Sequence, residues 1–388
     1  MKPTICLCMI VKDEAAVIER CLASVRGLID SWVISDTGST DGTQQLIRSA
    51  LAGIPGELHE DSWTDFGHNR SLNIARALGT ADYLLLLDAD HVLRRTGPLP
   101  ALTADSYVLR HTGGTESRVK RLVRADLPWR YEGVTHAYLT CDRRDENDRR
   151  PGLQENLDAL VTEDHTDGAS RPGRLERNAR LLGAELQRDP SNPHTVFHLA
   201  QTLRDMGDTA ASIKLYERRA TLGGWAEEVY YSLLQAGVLY GDSEDWPAAM
   251  DALSRAWDSR PGRLEACYEL ACRLRLLGRH HSAHAITGAV LNRPVPDDLL
   301  FVQPWVYRWG LLFEHSVTAY WTGDMATSIR ACDRLLAMPE LPESYRRQTR
   351  ANRGFAAAAL RPAVSVSRET PAGKPAGVSR ETSRRAPV

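Results

Sequence analysis

The sequence predicts an α/β domain with a largely parallel sheet, followed by an all-α solenoid of helix pairs. Three observations carry this. Apolar runs of strand length alternate with segments of helical spacing through the first ninety or so residues, the order that gives parallel sheets with right-handed crossovers. From about Arg174 the helical spacing continues without strands. In that second half, helix-turn-helix units recur about every 34 residues, the period of helical-repeat arrays.

The length, 388 residues, suffices for two or three domains with real cores. A formal net charge of −2 supplies no global basic field, so nucleic acid is not an expected partner. Seven cysteines contain no C-x-x-C pair, and a reduced, cytoplasmic setting fits them. Met1-Lys-Pro-Thr leads straight into a strand, with no leader expected, and no apolar run approaches transmembrane length.

Ile5 to Lys12 reads as a buried strand, and Ala15 to Val25 as a helix. Ser31-Trp-Val-Ile-Ser-Asp36 is a second strand, running into Thr37-Gly-Ser-Thr-Asp-Gly-Thr43 and a helix from Gln44 to Leu51. Ser and Thr supply caps there and Gly supplies tight turning, so free amides face the strand ends. Gly56 to Ser62 is a third strand, and Trp63 to Leu78 carries a helix. Tyr83 and four leucines then form a central strand that ends in Asp88-Ala-Asp90 and His91. In an open α/β sheet ligands bind outside the carboxyl ends of the strands. Two carboxylates one residue apart there can share a hard divalent cation, although capping aspartates give the same pattern.

Beyond Ser106 the pattern changes to strands at Ser106–His111, Arg118–Arg124, Val134–Thr140 and Leu160–His165. Arg118, Lys120, Arg121 and Arg124 would mainly be the solvated face of an edge strand, or else steer an anionic donor. Asp142 to Arg150 is a dense mixed-charge run, a solvated loop or a flap.

Taken together, Met9-Ile-Val-Lys-Asp-Glu14, Asp36-Thr-Gly-Ser-Thr-Asp-Gly-Thr43, Phe66-Gly-His-Asn-Arg70 and Asp88-Ala-Asp90 resemble the nucleotide-sugar half of family-2 glycosyltransferases. The resemblance implies a GT-A fold, a nucleotide-diphospho-sugar transferase with a Rossmann-like sheet. It implies that Val11, Lys12 and Glu14 line the ribose and base, that Asp36 accepts from the base, and that Arg70 contacts the nucleotide. Asp88 would hold the ribose, and Asp90 a divalent metal, Mn²⁺ or Mg²⁺, on the diphosphate of a UDP-sugar. His165, or else His136, would be a further metal ligand; a structural histidine fits either position as well. Trp129-Arg-Tyr-Glu-Gly-Val-Thr-His136 resembles a segment that bacterial members of the family follow with Glu. Here Ala137 stands in that place, so the general base would fall to Glu132 or Asp164.

In the second half, Phe197 to Asp208, Tyr268 to Gly278 and Val317 to Asp324 each read as an apolar helix ending at Gly, followed by a partner helix. This is similar to tetratricopeptide repeats, whose concave groove would take a peptide or protein acceptor. Trp225, Glu227, Glu228, Tyr230 and Tyr231 would face that groove or pack between repeats. The expected domains are 1–168, 174–361 and a disordered tail, 362–388. Val-Ser-Arg-Glu-Thr occurs in the tail at 366–370 and 378–382. Its possible codons form an inverted repeat, so the tail also reads as a translated DNA site. The combination resembles bacterial enzymes that glycosylate peptides, including S-glycosyltransferases. It implies inverting hexosyl transfer from the UDP-sugar. The alternatives are a catalytically impaired sugar-nucleotide-binding scaffold, kept open by Ala137, and a nucleotidyltransferase, which lacks support from any Gly-rich basic loop after the first strand.

Overall fold

The computed structural model describes residues 2–113, 117–141, 153–165, 167, 173–298 and 300–360. The charged run at 142–150 and the repeated pentapeptide of the tail lie outside these residues. The chain forms two compact units, one ending at Gly207 and one beginning at Asp208.

The first unit opens with β1 (Ile5–Val11), α1 (Ile18–Val25), β2 (Ser31–Asp36), α2 (Thr43–Ala50), β3 (Gly56–Glu60), α3 (Phe66–Ala77) and β4 (Tyr83–Leu86). It continues through β5 (His91–Arg95), β6 (Ser106–Thr112), β7 (Ser117–Arg124), β8 (Trp129–Glu132), β9 (Tyr138–Cys141) and β10 (Gln154–Asp164), then α4 (Arg174–Arg188) and α5 (Pro193–Asp205). Eight strands form one sheet in the order β3-β2-β1-β4-β7-β6-β10-β5, and β8 pairs with β9 in a small second sheet. The first four strands are parallel, as the alternating pattern requires. Their apolar residues are buried on both faces. Leu7, Met9, Leu85 and Ile34 enter one cluster; Cys6, Cys8, Leu84 and Leu86 enter the other.

β7 runs antiparallel to β4, β6 antiparallel to β7, and β10 parallel to β6. Hence β1, β2, β3, β4, β6 and β10 all end at the same edge. β5 runs antiparallel to β10 and begins at that edge, with His91 opposite Asp164. Two expectations change. The strand expected at Val134–Thr140 is a bend followed by β9, because Gly133 and His136 hold left-handed φ values of +97° and +51°. The stretch after Asp90 is a strand of its own that the pattern did not separate from β4.

The second unit contains α6 (Thr209–Thr221), α7 (Ala226–Asp242), α8 (Trp246–Ser259), α9 (Glu265–Leu276) and α10 (His280–Val290). A π-helical turn at Val306–Gly310 leads into α11 (Leu311–Trp321), followed by α12 (Met325–Leu336) and α13 (Glu343–Leu360). The turns repeat one device. Asp208, Asp245 and Asp324 cap α6, α8 and α12 by accepting from the third helical N–H at 3.1, 3.2 and 2.9 Å. Gly207 and Gly323, just before two of these caps, hold φ of +86° and +87°, where a side chain would be strained.

Trp225 is exposed, but Glu227, Glu228, Tyr230 and Tyr231 are buried and do not offer a groove surface. The cause is ion pairing. Arg219 pairs with Glu228, the Arg263 guanidinium binds Glu265, and the Tyr230 hydroxyl donates to Glu265 at 3.1 Å. Glu227 accepts the backbone N–H of Leu300 at 2.7 Å. Charges paired this way can be buried, so the sequence rule that acidic residues face solvent fails here.

The His315 ring is buried, stacks on His284 with centroids 4.4 Å apart, and places Nδ1 2.9 Å from the Thr287 hydroxyl. Burial, with His284, pushes its pKa from 6.5 down to about 4. The unfolded chain therefore takes up this proton first as pH falls. The stability is complete above pH 6.5 and is lost towards pH 4. His315→Gln should remove a pH-dependent part of the unfolding free energy of ~1–2 kcal/mol between pH 7 and 4.5. Denaturant titrations at both pH values check this, and an equal acid sensitivity in the two proteins would refute it.

Candidate active site

The side chains that carry chemistry gather at the shared strand edge. After β4 the chain turns at Asp88-Ala-Asp90 before entering β5. Asp88 takes Arg70 from α3 and, at 3.3 Å, Arg121 from β7. Burial works against the Asp88 charge, but the two guanidiniums outweigh it and hold the carboxyl well below the usual carboxylate range. Asp90 is the reverse case. Burial, then the charges of Asp88 and Asp164, push its pKa up.

Beside Asp90, the ligand-type atoms of His91, His111 and Asp164 lie within 4.8 Å of one another. The edge arrangement explains this: His91 opens β5, His111 lies at the end of β6, and Asp164 ends β10. His91 stands 3.7 Å from Asp88 and 3.9 Å from Asp90, and its buried Nδ1 has no hydrogen-bond partner. His111 Nδ1 lies 3.0 Å from the Thr162 hydroxyl, and its Nε2 lies 3.7 Å from Asp164. Burial and Arg121 keep both imidazoles neutral; the His91 pKa is pushed down to about 4. Two neutral imidazoles and a carboxylate are a donor set for a divalent transition ion, and the unpartnered Nδ1 shows that hydrogen bonding alone does not satisfy the group. Sequence reading had not singled out His91 or His111. The signal was available for His111, since a histidine closing a strand parallel to β4 reaches the same edge.

Of the other expected ligands, His165 is exposed, 4.0 Å from Glu163, and its backbone N–H donates to the Asp90 carbonyl at 3.4 Å. His136 lies elsewhere, stacked on His198 at 4.4 Å, and His194 Nε2 lies 3.1 Å from its carbonyl oxygen.

At the ends of β1 and β2, Asp36 is fully buried. Its Oδ1 accepts from the N–H groups of Gly38 and Ser39 at 2.8 and 2.7 Å, while Oδ2 is buried without a partner. Val11 packs in the core, and its carbonyl accepts from Thr37; Lys12 is exposed. The Glu14 N–H donates to the Thr43 hydroxyl at 2.8 Å, and its carbonyl receives the first N–H groups of α1. Asp13 adopts φ +53° and accepts from the Thr40 N–H at 2.8 Å, tying the two loops together.

A cleft of about 550 Å³ adjoins Asp88, lined by Phe66, Arg70, the β7 residues 118–121, Tyr131 and residues 135–139. The segment Phe66-Gly-His-Asn-Arg70 builds one wall residue by residue. Asp65 caps α3, Asn69 bonds Thr64 and Ser62, and Arg70 reaches Asp88. Gly67 lets the helix approach the Gly133 carbonyl, which a Cβ would meet at 2.4 Å. Glu132 stands behind the rim, paired with Arg130, with Oε2 accepting from the Tyr138 hydroxyl at 2.6 Å. Asp164 belongs instead to the histidine group.

Residues 6–102 match Glycosyl transferase family 2. The matched segment ends beyond β5, so it contains Asp36, Arg70, Asp88, Asp90 and His91. A TPR repeat-containing protein of Synechococcus elongatus is 29% identical over 266 residues, 64% of this chain and 65% of its own. The SPbeta prophage-derived glycosyltransferase SunS of Bacillus subtilis is 24% identical over 216 residues, 52% of this chain and 49% of its own. The chain thus spans less than two thirds of the length of either relative. Among solved structures, MamA aligns at 18% identity and TM-score 0.34, over 48% of this chain and 92% of its own. The TPR protein YrrB aligns at 14% and 0.34, over 48% and 84%. The chain is thus similar to family-2 glycosyltransferases over residues 6–102 and, over 64% of its length, to a TPR repeat-containing protein. No helix among the described residues is long and apolar enough to cross a membrane.

Gly→Ala inside a helix ordinarily gains up to about 1 kcal/mol. At Gly67 the Gly133 carbonyl stands in the way, so Gly67→Ala should instead cost ~1–3 kcal/mol. Urea denaturation gives the sign, and a stabilised variant would contradict the close approach.

Proposed function

We propose that this protein transfers a hexose from a UDP-sugar to a peptide or protein side chain, with inversion at the anomeric carbon and with a divalent cation. The observation that carries the reading is the shared strand edge. Asp36, Asp88, Asp90, His91, His111 and Asp164 all sit at it, the first four of them within the segment, residues 6–102, that matches family 2. Sugar-nucleotide chemistry at the carboxyl ends of parallel strands is what such a sheet supports.

In this reading Asp36 Oδ2, buried without a partner, accepts the imide N–H of the uracil. Val11, Lys12 and Glu14 flank the base and ribose through their backbone, and Arg70 and Asp88 fix the ribose and the reacting end. His91, His111 and Asp164, with Asp90 alongside, would hold Mn²⁺ or Mg²⁺; their chemistry favours Mn²⁺, which tolerates imidazole. Bound there, the cation would supply positive charge to the diphosphate as it leaves. His165, whose backbone contacts Asp90, is the second candidate for that role; His136, against His198, is not.

Ala137 provides no carboxylate at the cleft, so the proton of the acceptor needs another base. Glu132 is the better placed of the two candidates, because its hydrogen-bond partner Tyr138 lines the cleft. Asp164 is committed to the histidines. Glu132 would take the acceptor proton as the acceptor's heteroatom bonds to the anomeric carbon and the bond to the UDP oxygen breaks. A cytoplasmic setting is part of the proposal, supported by buried thiols such as Cys6, Cys8 and Cys21. The repeats would bind the acceptor polypeptide, but not through Glu227 or Tyr230.

UDP-sugar hydrolysis should require Mn²⁺ or Mg²⁺ and stop with EDTA. His111→Ala should raise the Mn²⁺ concentration needed for half-maximal rate at least about tenfold. Full activity in EDTA would remove the cation from the account. Glu132→Gln should lower kcat for transfer by roughly 10²-fold or more while leaving the donor KM within about twofold. A Glu132→Gln enzyme with unchanged kcat would pass the role of base to another group, and a wild-type protein that neither hydrolyses nor transfers any UDP-sugar would favour the scaffold alternative.

A further inference from the structure

Four consecutive residues of β7, Arg118 to Arg121, line the cleft. A regular strand sends neighbours to opposite faces. The register slips at this point. Tyr107 pairs with Leu122 but Val108 pairs with Lys120, which leaves Arg121 as the extra residue of a bulge. Bulges re-aim side chains and occur beside active sites. Here Arg121 reaches Asp88 while its neighbour Lys120 also lines the cleft.

The cations of the cleft are not equivalent. Arg70 and Arg121 share Asp88, and Arg118 has Asp158 at 3.1 Å. Lys120 makes no ion pair with a carboxylate among the described residues. Its ammonium lies 5.0 Å from the centre of the Trp129 ring, and that ring is fixed by an indole N–H donating to the Arg124 carbonyl at 2.9 Å. Lys120 is half-buried, and burial lowers its pKa. An aromatic face offsets only about 0.5–2 kcal/mol of such a charge, less than the loss of water costs. The choice of residue is also informative. Of 48 basic residues five are lysines, at positions 2, 12, 120, 214 and 374. Arginine forks suit bidentate partners, whereas a lysine presents one compact point charge.

We propose that Lys120 reads an anion on the acceptor, a carboxylate or phosphate carried close to the atom that receives the sugar. This rests on the cleft being the acceptor side of the proposed transferase. Of the proposed donor and cation residues, Arg70 and Asp88 line the cleft and mark where the reacting end meets it, whereas Asp36, Asp90, His91, His111 and Asp164 do not, so the base and the diphosphate would lie outside it. On a polypeptide the group would be an acidic side chain, and on a smaller acceptor a phosphate or carboxylate.

The test uses the full wild-type chain and needs no turnover. The protein, with UDP and Mn²⁺ present, is acetylated by a limiting amount of N-hydroxysuccinimide acetate, and the rate at each lysine is read by peptide mass spectrometry. Lys214, which is exposed, serves as the internal reference. Inorganic phosphate or succinate should slow Lys120 acetylation at least threefold relative to Lys214, and neutral succinamide should not. Stronger protection by succinate identifies a carboxylate acceptor; stronger protection by phosphate identifies a phosphorylated one. If neither anion changes the Lys120 rate, or if UDP alone protects it and the anions add nothing, the proposal is overturned. If succinate protects while UDP fails to bind, the donor reading falls and the anion site stands.

Discussion

The Asp88 carboxylate lies between two guanidiniums, Arg70 from α3 and Arg121 from β7. This contact joins three elements that are far apart in sequence at one strand edge. It uses the charge of Arg121, which a bulge in β7 has redirected. It also sets the charges around it. Burial, then the charges of Asp88 and Asp164, raise the pKa of the neighbouring Asp90, while burial, then Arg121, lower those of the His91 and His111 imidazoles. In the proposed function, two neutral imidazoles beside mutually repelling carboxylates are the donor set that would take the cation.

Much of this is legible in the sequence. The alternation of strands and helices gave the parallel order of β1 to β4, because both faces of those strands are apolar. Asp36, Asp88 and Asp90 stood out because each lies at or just past a strand end in a recognisable segment, and Arg70 because it follows Phe66-Gly-His-Asn at the start of α3. The convergence of His91, His111 and Asp164 on one point was not legible, although each closes or opens a recognisable strand. His91, His111 and Asp164 belong to strands whose pairing is non-local, with β5 at one end of the sheet and β10 between it and β6. Residue spacing carries no information on such pairings. The same limit explains the Val134–Thr140 segment, where alternation suggested a strand but the backbone at Gly133 and His136 turns instead.

The second unit shows a different limit. Its period, its glycine turns and its aspartate caps follow from local propensity and were visible. Its polar interior was not. Arg219, Arg263, Glu228 and Glu265 are buried because each has its counter-ion. Single-residue hydropathy assigns the charged positions to the surface, so Glu227 reads as a groove residue although it is buried, whereas the buried Tyr230 follows the alternative of packing between repeats.

Every role proposed for these residues requires the strand edge to be a site for a nucleoside diphosphate and a cation. Calorimetric titration of UDP into the full chain, with and without Mn²⁺, tests it most directly. The account predicts one site per chain, binding that depends on Mn²⁺, and affinity weakened at least about tenfold in Asp88→Asn, since that change leaves two guanidiniums without their shared carboxylate. A folded wild-type protein that takes up no UDP in Mn²⁺, or an Asp88→Asn protein that binds it as tightly as the wild type, would contradict the account.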